Sequence, residues 1–282
     1  DVQENGAAAE MGFKGSPRVM KIVHGRVNIG VRGENWEALF CGKSAALISY
    51  KYAGREMLET APKADFWRAP TDNDRGNYMP FRYSMWKIAS LYQSRIGFSG
   101  PETAETPEEI RLTWHFNIPT PAAYMAKAPE LQHEKEHRIA DNEENPDAFS
   151  GGENLFPEFD IIYTVTPDGT VKMTLDMDLP KDFPDPPVFG MTFKTSADYD
   201  RLRWYGMGPE ETYADRCHGA RLGIYETSAN GSMAKYLIPQ ECGNRMGVRW
   251  MELTGKAGHG LRIRMAGRPL EIEALPYSQA EL

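Results

Sequence analysis

Glu158-Phe159-Asp160-Ile161-Ile162-Tyr163-Thr164-Val165-Thr166-Pro167-Asp168-Gly169-Thr170-Val171-Lys172-Met173-Thr174-Leu175-Asp176-Met177-Asp178-Leu179 decides the fold class. Phe159, Ile161, Tyr163 and Val165 alternate with Asp160, Ile162, Thr164 and Thr166. After the turn formers Pro167-Asp168-Gly169, Val171, Met173, Leu175, Met177 and Leu179 alternate with Lys172, Thr174, Asp176 and Asp178. Successive strand side chains point to opposite faces, so a period of two sorts apolar from polar residues. The stretch reads as a long antiparallel hairpin with one dry and one wet face.

Working outward, Pro180 to Pro187 contains four prolines and breaks regular structure. Val188 to Lys194, Arg203 to Tyr205, Met246 to Leu253, Leu261 to Met265 and Leu270 to Ala274 read as further strands. On the N-terminal side, Val19 to Val23, Arg26 to Val31, Trp36 to Phe40 and Ala46 to Tyr52 form a meander, with a turn at Gly30 to Asn35. Arg111 to Phe116 is another strand. Only Phe81 to Tyr92 carries a helical stripe, with Met85, Ile88, Ala89 and Tyr92 expected to cover a core. No repeat is visible. The expectation is a mainly β protein built as a large two-sheet antiparallel sandwich.

Residues 1–17, rich in Gly, Ala and Glu, read as a flexible leader or interdomain linker, and residues 18–282 as the sandwich domain. A charged insertion at about residues 117–152 is poor in apolar anchors. Hydrophobic residues make up 41% of the 282, enough for a sizeable core rather than a disordered chain. The net charge of −8 argues against nucleic acid or an anionic membrane as partner. No apolar run reaches the roughly 20 residues needed to span a bilayer, and no secretory signal is visible. Cys41, Cys217 and Cys242 are odd in number and have no metal-like spacing, so they read as buried or free thiols.

The densest chemistry lies in Asp65-Phe66-Trp67-Arg68-Ala69-Pro70-Thr71-Asp72-Asn73-Asp74-Arg75-Gly76. Phe66 and Trp67 are anchors, Pro70 and Gly76 are breakers, and Asp72, Asn73 and Asp74 can cap backbone donors or present oxygens to a ligand. The economical reading is a buried, self-bonded loop that positions strands. The sharper one is a loop at a polyol-binding or interdomain surface. Arg68 is expected to be partly buried and paired with Asp72, Asp74 or a distant carboxylate.

Phe-x-Arg-Ala-Pro-x-Asp-Asn-Asp-x-Gly in this stretch resembles the signature of the C-terminal domain, or small chain, of glycoside hydrolase family 2 β-galactosidases. Two later stretches match in the same order: Trp204-Tyr205-Gly206-Met207-Gly208-Pro209-Glu210-Glu211-Thr212-Tyr213-Ala214-Asp215-Arg216 and Tyr236-Leu237-Ile238-Pro239-Gln240-Glu241-Cys242-Gly243-Asn244-Arg245. The resemblance implies a supersandwich of the kind seen in galactose mutarotase. It implies a role as accessory domain in a bacterial-type, cytoplasmic or periplasmic enzyme that hydrolyses terminal β-D-galactose with retention. The catalytic carboxylates, and the Mg and Na often used by the family, would lie on a preceding barrel absent from this chain. Expected partners are those preceding domains and the galactoside, and a homo-oligomer is left open. In the family a tryptophan nearer the C-terminus reaches the sugar. The match stops around Pro276 to Gln279, before that segment, so neither this residue nor any catalytic residue is assigned here, and the domain is expected to be truncated.

Three motifs imitate ligand sites. His133-Glu134-Lys135-Glu136-His137 is a literal zinc-protease pattern, but it sits in the charged insertion without an apolar back face, and reads as solvated chain. Counting from Asp72 as a calcium loop puts Gly76 at position five and Tyr83 at position twelve, which fails. Gly206-Met207-Gly208 lacks the third glycine and the strand–helix context of a dinucleotide loop, and Gly208-Pro209 reads as a turn. Sugar sites combine an aromatic ring with Asp, Asn, Glu or Arg. The carbohydrate-binding or domain-interface candidates are therefore Trp67, Arg68, Asp72, Asn73, Asp74, Trp204, Glu210 and Tyr213, with core placement the competing reading for the aromatics. The alternative to an accessory domain is a free-standing carbohydrate-binding module or aldose epimerase. An epimerase needs an acid and a base, typically His and Glu, across a cleft, and His115, His218 and His259 lie in no recognisable motif.

Overall fold

The computed structural model describes residues 20–96, 100–118, 158–179 and 184–282. The leader, almost all of the insertion and the His133–His137 motif lie outside the described residues. The chain opens with β1 (Lys21–His24), β2 (Asn28–Arg32), β3 (Trp36–Cys41), β4 (Ala46–Tyr52) and the short β5 (Arg55–Glu56), antiparallel neighbours in sequence order. β6 (Thr60–Asp65) leads into the signature loop and three short helices, α1 (Asp72–Gly76), α2 (Met79–Arg82) and α3 (Ser84–Leu91). Next come β7 (Ser94–Arg95), β8 (Glu102–Glu105), β9 (Ile110–Asn117) and the hairpin β10 (Glu158–Val165) and β11 (Val171–Met177). β12 (Gly190–Lys194), β13 (Arg201–Gly208) and β14 (Arg221–Ser228) precede α4 (Ala229–Ser232). β15 (Arg245–Val248), β16 (Trp250–Thr254), β17 (Gly260–Arg264) and β18 (Leu270–Ile272) complete the described strands.

β11, β10 and β9 form the second sheet, with β7 and β8 both pairing β9. The hairpin pairs Val165 with Val171 and Phe159 with Met177, the register that the period-two pattern predicts. β6 pairs β12, β15 pairs β18, and β14-β13-β16-β17 is a four-stranded sheet. The pairings among these named strands are antiparallel and the architecture is a mainly β sandwich, as the sequence predicts.

The main core joins the first two sheets to β6 and α3. Phe40, Trp114 and Tyr163 pack with ring centroids 5.3 to 6.2 Å apart. Phe66, fully buried, bridges to Phe159 at 5.3 Å and Trp86 at 5.5 Å. Each such ring removes a large apolar area from water, which is the dominant favourable term in folding. A second, smaller core of Leu202, Trp204, Val248, Met251, Ile272 and Ala274 lies under the four-stranded sheet.

Three expectations are corrected. Phe81 to Tyr92 is two helices, and α3 turns Trp86, Ala89 and Ser90 inward while Ile88 and Tyr92 are exposed. The Trp86 ring seats on Phe66 and its Nε1 donates to Pro184 O at 3.1 Å, and this anchor sets the helix rotation. Met246 to Leu253 is not one strand: β15 and β16 separate at Arg249, after Gly247 at φ +62°. β6, β8 and β14 are strands that the sequence does not single out. Cys41, Cys217 and Cys242 are free thiols. Among the described residues no helix is long and apolar enough to cross a membrane.

Candidate functional site

The three stretches that carry the resemblance, the first separated from the other two by more than a hundred residues, fold into one junction. β6 delivers Asp65, and the chain then dives: Phe66 N donates to Ser90 Oγ at 2.9 Å and Trp67 N to Asp65 Oδ1 at 3.2 Å. Thr71 caps α1 by a reciprocal box, its Oγ1 accepting from Asp74 N at 3.1 Å while its own N donates to Asp74 Oδ2 at 3.0 Å. Asp74 has a second duty. Arg68 Nε and Nη2 donate to Asp74 Oδ2 and Oδ1 at 3.1 and 2.8 Å, a two-pronged ion pair. Burial pushes the Asp74 carboxyl up, but the bonds from Arg68 and Thr71 outweigh it and hold it below the usual carboxylate range.

The third stretch lies directly on this loop. Glu241 N donates to Ala69 O at 3.1 Å, Asp72 N donates to Gln240 Oε1 at 3.0 Å, and Arg75 Nη2 donates to Pro239 O at 3.3 Å. The second stretch braces the third. Glu211 accepts from Tyr236 OH at 2.8 Å, from Gly243 N at 2.7 Å and from Arg216. Thr212 N donates to Asn244 O at 2.8 Å, and Met246 N donates to Thr212 Oγ1 at 2.8 Å. Gly243 sits at φ +81°, and a Cβ there would lie 3.0 Å from Ser232 O, so the motif needs glycine at this position. Arg245, buried, lies 4.9 Å over the Trp204 ring and gives Nη1 to the carbonyls of Gly243 and Asn244, each at 3.1 Å.

The C-terminal segment closes the junction. Gln279 Oε1 accepts from Ala69 N at 2.6 Å, and Gln279 Nε2 donates to both Glu273 oxygens, at 3.1 and 2.8 Å. Asp65, Glu241 and Glu273 thus converge on one loop. Burial raises all three carboxyls; Glu241 raises Glu273 further, to about 9. Burial, and then the neighbouring Glu241, also raises the Tyr213 hydroxyl, which accepts a 3.4 Å bond from Asn244 N.

Of the candidates from sequence, the structure brings Trp67, Arg68, Asp74 and Tyr213 into the junction. Trp67 is in the main core and Trp204 roofs the second one, both at most 7% exposed, so both anchor packing. Asp72 is exposed and pairs with Arg75 at 3.0 Å; Asn73 and Glu210 are also exposed. Glu211 and Glu241 stand at fixed positions of the matched stretches without being among the site candidates, Asn244 stands at a variable one, and Glu273 and Gln279 carry no sequence signal. His115 is on an outer sheet face, bonded through Nδ1 to Asp160 at 2.7 Å and 3.4 Å from Glu102. Among the described residues no group of three His, Cys, Asp or Glu side chains is arranged to hold a metal ion. The convergent acids are internal, where they hold loops together.

The family model for the β-galactosidase small chain matches residues 32–282. A β-galactosidase of Halalkalibacterium halodurans is 34% identical over 268 residues, covering 93% of this chain and 23% of that protein. β-Galactosidase BgaC of Bifidobacterium adolescentis is 33% identical over 274 residues, 95% of this chain and 22% of the relative. A β-galactosidase small subunit of Latilactobacillus sakei is 27% identical over 291 residues, 93% of this chain and 80% of the relative. The chain therefore spans less than a quarter of the first two relatives and most of the third.

Proposed function

Because this chain belongs to the β-galactosidase small chain family, we propose that it serves as the accessory C-terminal portion of a β-galactosidase. In this reading the chemistry belongs to the rest of the enzyme. A retaining glycosidase places an acid and a nucleophile about 5 Å apart on either side of the glycosidic bond, open to substrate. The carboxyls that converge in this chain instead face into the junction, Glu241 buried and Asp65 and Glu273 half-buried, which is the observation that carries the reading. Any Mg or Na that the whole enzyme uses is held outside this chain. The junction of the three matched stretches stiffens the domain, so that one of its surfaces can pack on the catalytic part and form one wall of the galactoside site. The sites closest to that role are Asp72, Asn73 and Glu210, which are exposed beside the junction.

The purified chain alone is expected not to hydrolyse a chromogenic β-galactoside, because it contributes at most one wall of a cleft. Mixed with the large portion of the same enzyme, it is expected to restore turnover. Activity that follows the isolated chain through purification, and disappears on Asp72→Ala or Glu210→Ala, would overturn the reading.

A further inference from the structure

Ala69, at the centre of the signature loop, has both backbone groups taken by residues from far along the chain. Its N–H goes to Gln279 and its carbonyl accepts from Glu241 N. Gln279 is oriented by Glu273, whose two oxygens both accept from its amide. Glu241 and Glu273 meet side chain to side chain. Glu241 is 7% exposed, and its Oε2 has no hydrogen-bond partner among the described residues. Two ionised carboxylates offer only acceptors, so the contact has no donor until one of them carries a proton. A buried acceptor left unpaired, beside a second, half-buried negative charge, is costly; one proton removes both problems.

Among the described residues most of the neighbouring groups are acidic, and Arg68 favours the charged form of Glu241 without reversing the effect of burial. Asp65 faces the pair from the end of β6, Tyr213 from the connection after β13 and Cys242 from the same turn as Glu241, with Glu211 beside Tyr213 and Cys242. Arg68 is the near cation, and its Nε and Nη2 both donate to Asp74; Lys63 lies beside Asp65.

We propose that Glu241, Glu273 and Gln279 form a proton-dependent latch. One proton shared by the two carboxyls keeps Gln279 clamped on Ala69, and its loss loosens the signature loop and residues 275–282 together. Both carboxyls are raised, by burial first, and Glu273 to about 9. A raised carboxyl means that the closed form binds more protons than the open form. The latch is therefore fully closed below the ordinary glutamate range and weakens as pH rises towards about 9.

Amide hydrogen exchange of the Ala69 N–H, corrected for intrinsic rate and referred to amides of β10, reads the latch directly. Its protection is expected to fall at least about tenfold between pH 6 and pH 9, since each proton released contributes up to tenfold per pH unit. Glu273→Gln supplies a donor that does not titrate, so its protection should stay level across the same range. Gln279→Ala should show low protection at every pH. Protection of the native chain that is level from pH 6 to pH 9, or an equal fall in Glu273→Gln, would overturn the latch. Glu241→Gln provides the same test from the other partner if Glu273→Gln fails to fold.

Discussion

Arg68→Ala is expected to destabilise the chain by about 2–4 kcal/mol, the cost of breaking a buried pair reduced for partial exposure. The Arg68 side chain is 30% exposed and that of Asp74 12% exposed. The loss has two parts. The two-pronged bond disappears, and Asp74 is left as a mostly buried carboxylate whose remaining hydrogen bond among the described residues comes from Thr71. Asp74 then competes between capping α1 and recovering hydration, which unfixes the loop beneath Glu241. Asp74→Ala removes the pair and the capping box together, so it should cost at least as much. In a double-mutant cycle the two losses should not add, because both remove one shared interaction. The contrast is Asp72→Ala: Asp72 is 74% exposed and pairs with Arg75 across one helical turn. That change should stay within about 0.5 kcal/mol. Urea unfolding midpoints check all four variants; an unchanged midpoint for Arg68→Ala would show that its ion pair adds nothing.

Trp204→Ala should cost more, about 3–5 kcal/mol, the range for truncating a large buried aromatic. Trp204 is 1% exposed in a core that has six buried residues among those described. Its ring packs 5.6 Å from Tyr225 and lies under Arg245, and its Nε1 donates to Met207 O at 2.9 Å. A small core has few neighbours to collapse into the cavity. The change also strips the buried Arg245 guanidinium of its aromatic face, while burial already disfavours its charge. Arg245 holds the carbonyls of Gly243 and Asn244, so the loosening should spread to Tyr213 and Glu211. Trp204→Phe should recover much of the loss, because the ring remains and only the indole hydrogen bond is missing. Equal destabilisation by the two substitutions would mean that the Nε1 bond, not the packing, holds this region.

The sequence by itself determined the class of the fold. Period-two alternation in Phe159 to Leu179 can satisfy only a strand with one buried face, and the register follows from it. It also determined the family, because turn formers, anchors and charges at fixed spacing survive in order along the chain. Local pattern was weaker wherever one contact outvoted it. In α3 the stripe through Ile88 and Tyr92 is real, but Trp86 finds Phe66 and Pro184, and the helix turns to bury it. In β14, Leu222 and Ile224 face outward and Gly223 interrupts the run, so the strand is defined by pairing with β13 rather than by its own alternation. Only tertiary structure decided that the three matched stretches are a single junction, that Arg68 chooses Asp74, and that Glu273 and Gln279 complete it. Those outcomes depend on burial and on partners up to 210 residues apart. A carboxyl's charge and an arginine's partner are set by what surrounds them after folding, and no local spacing encodes that.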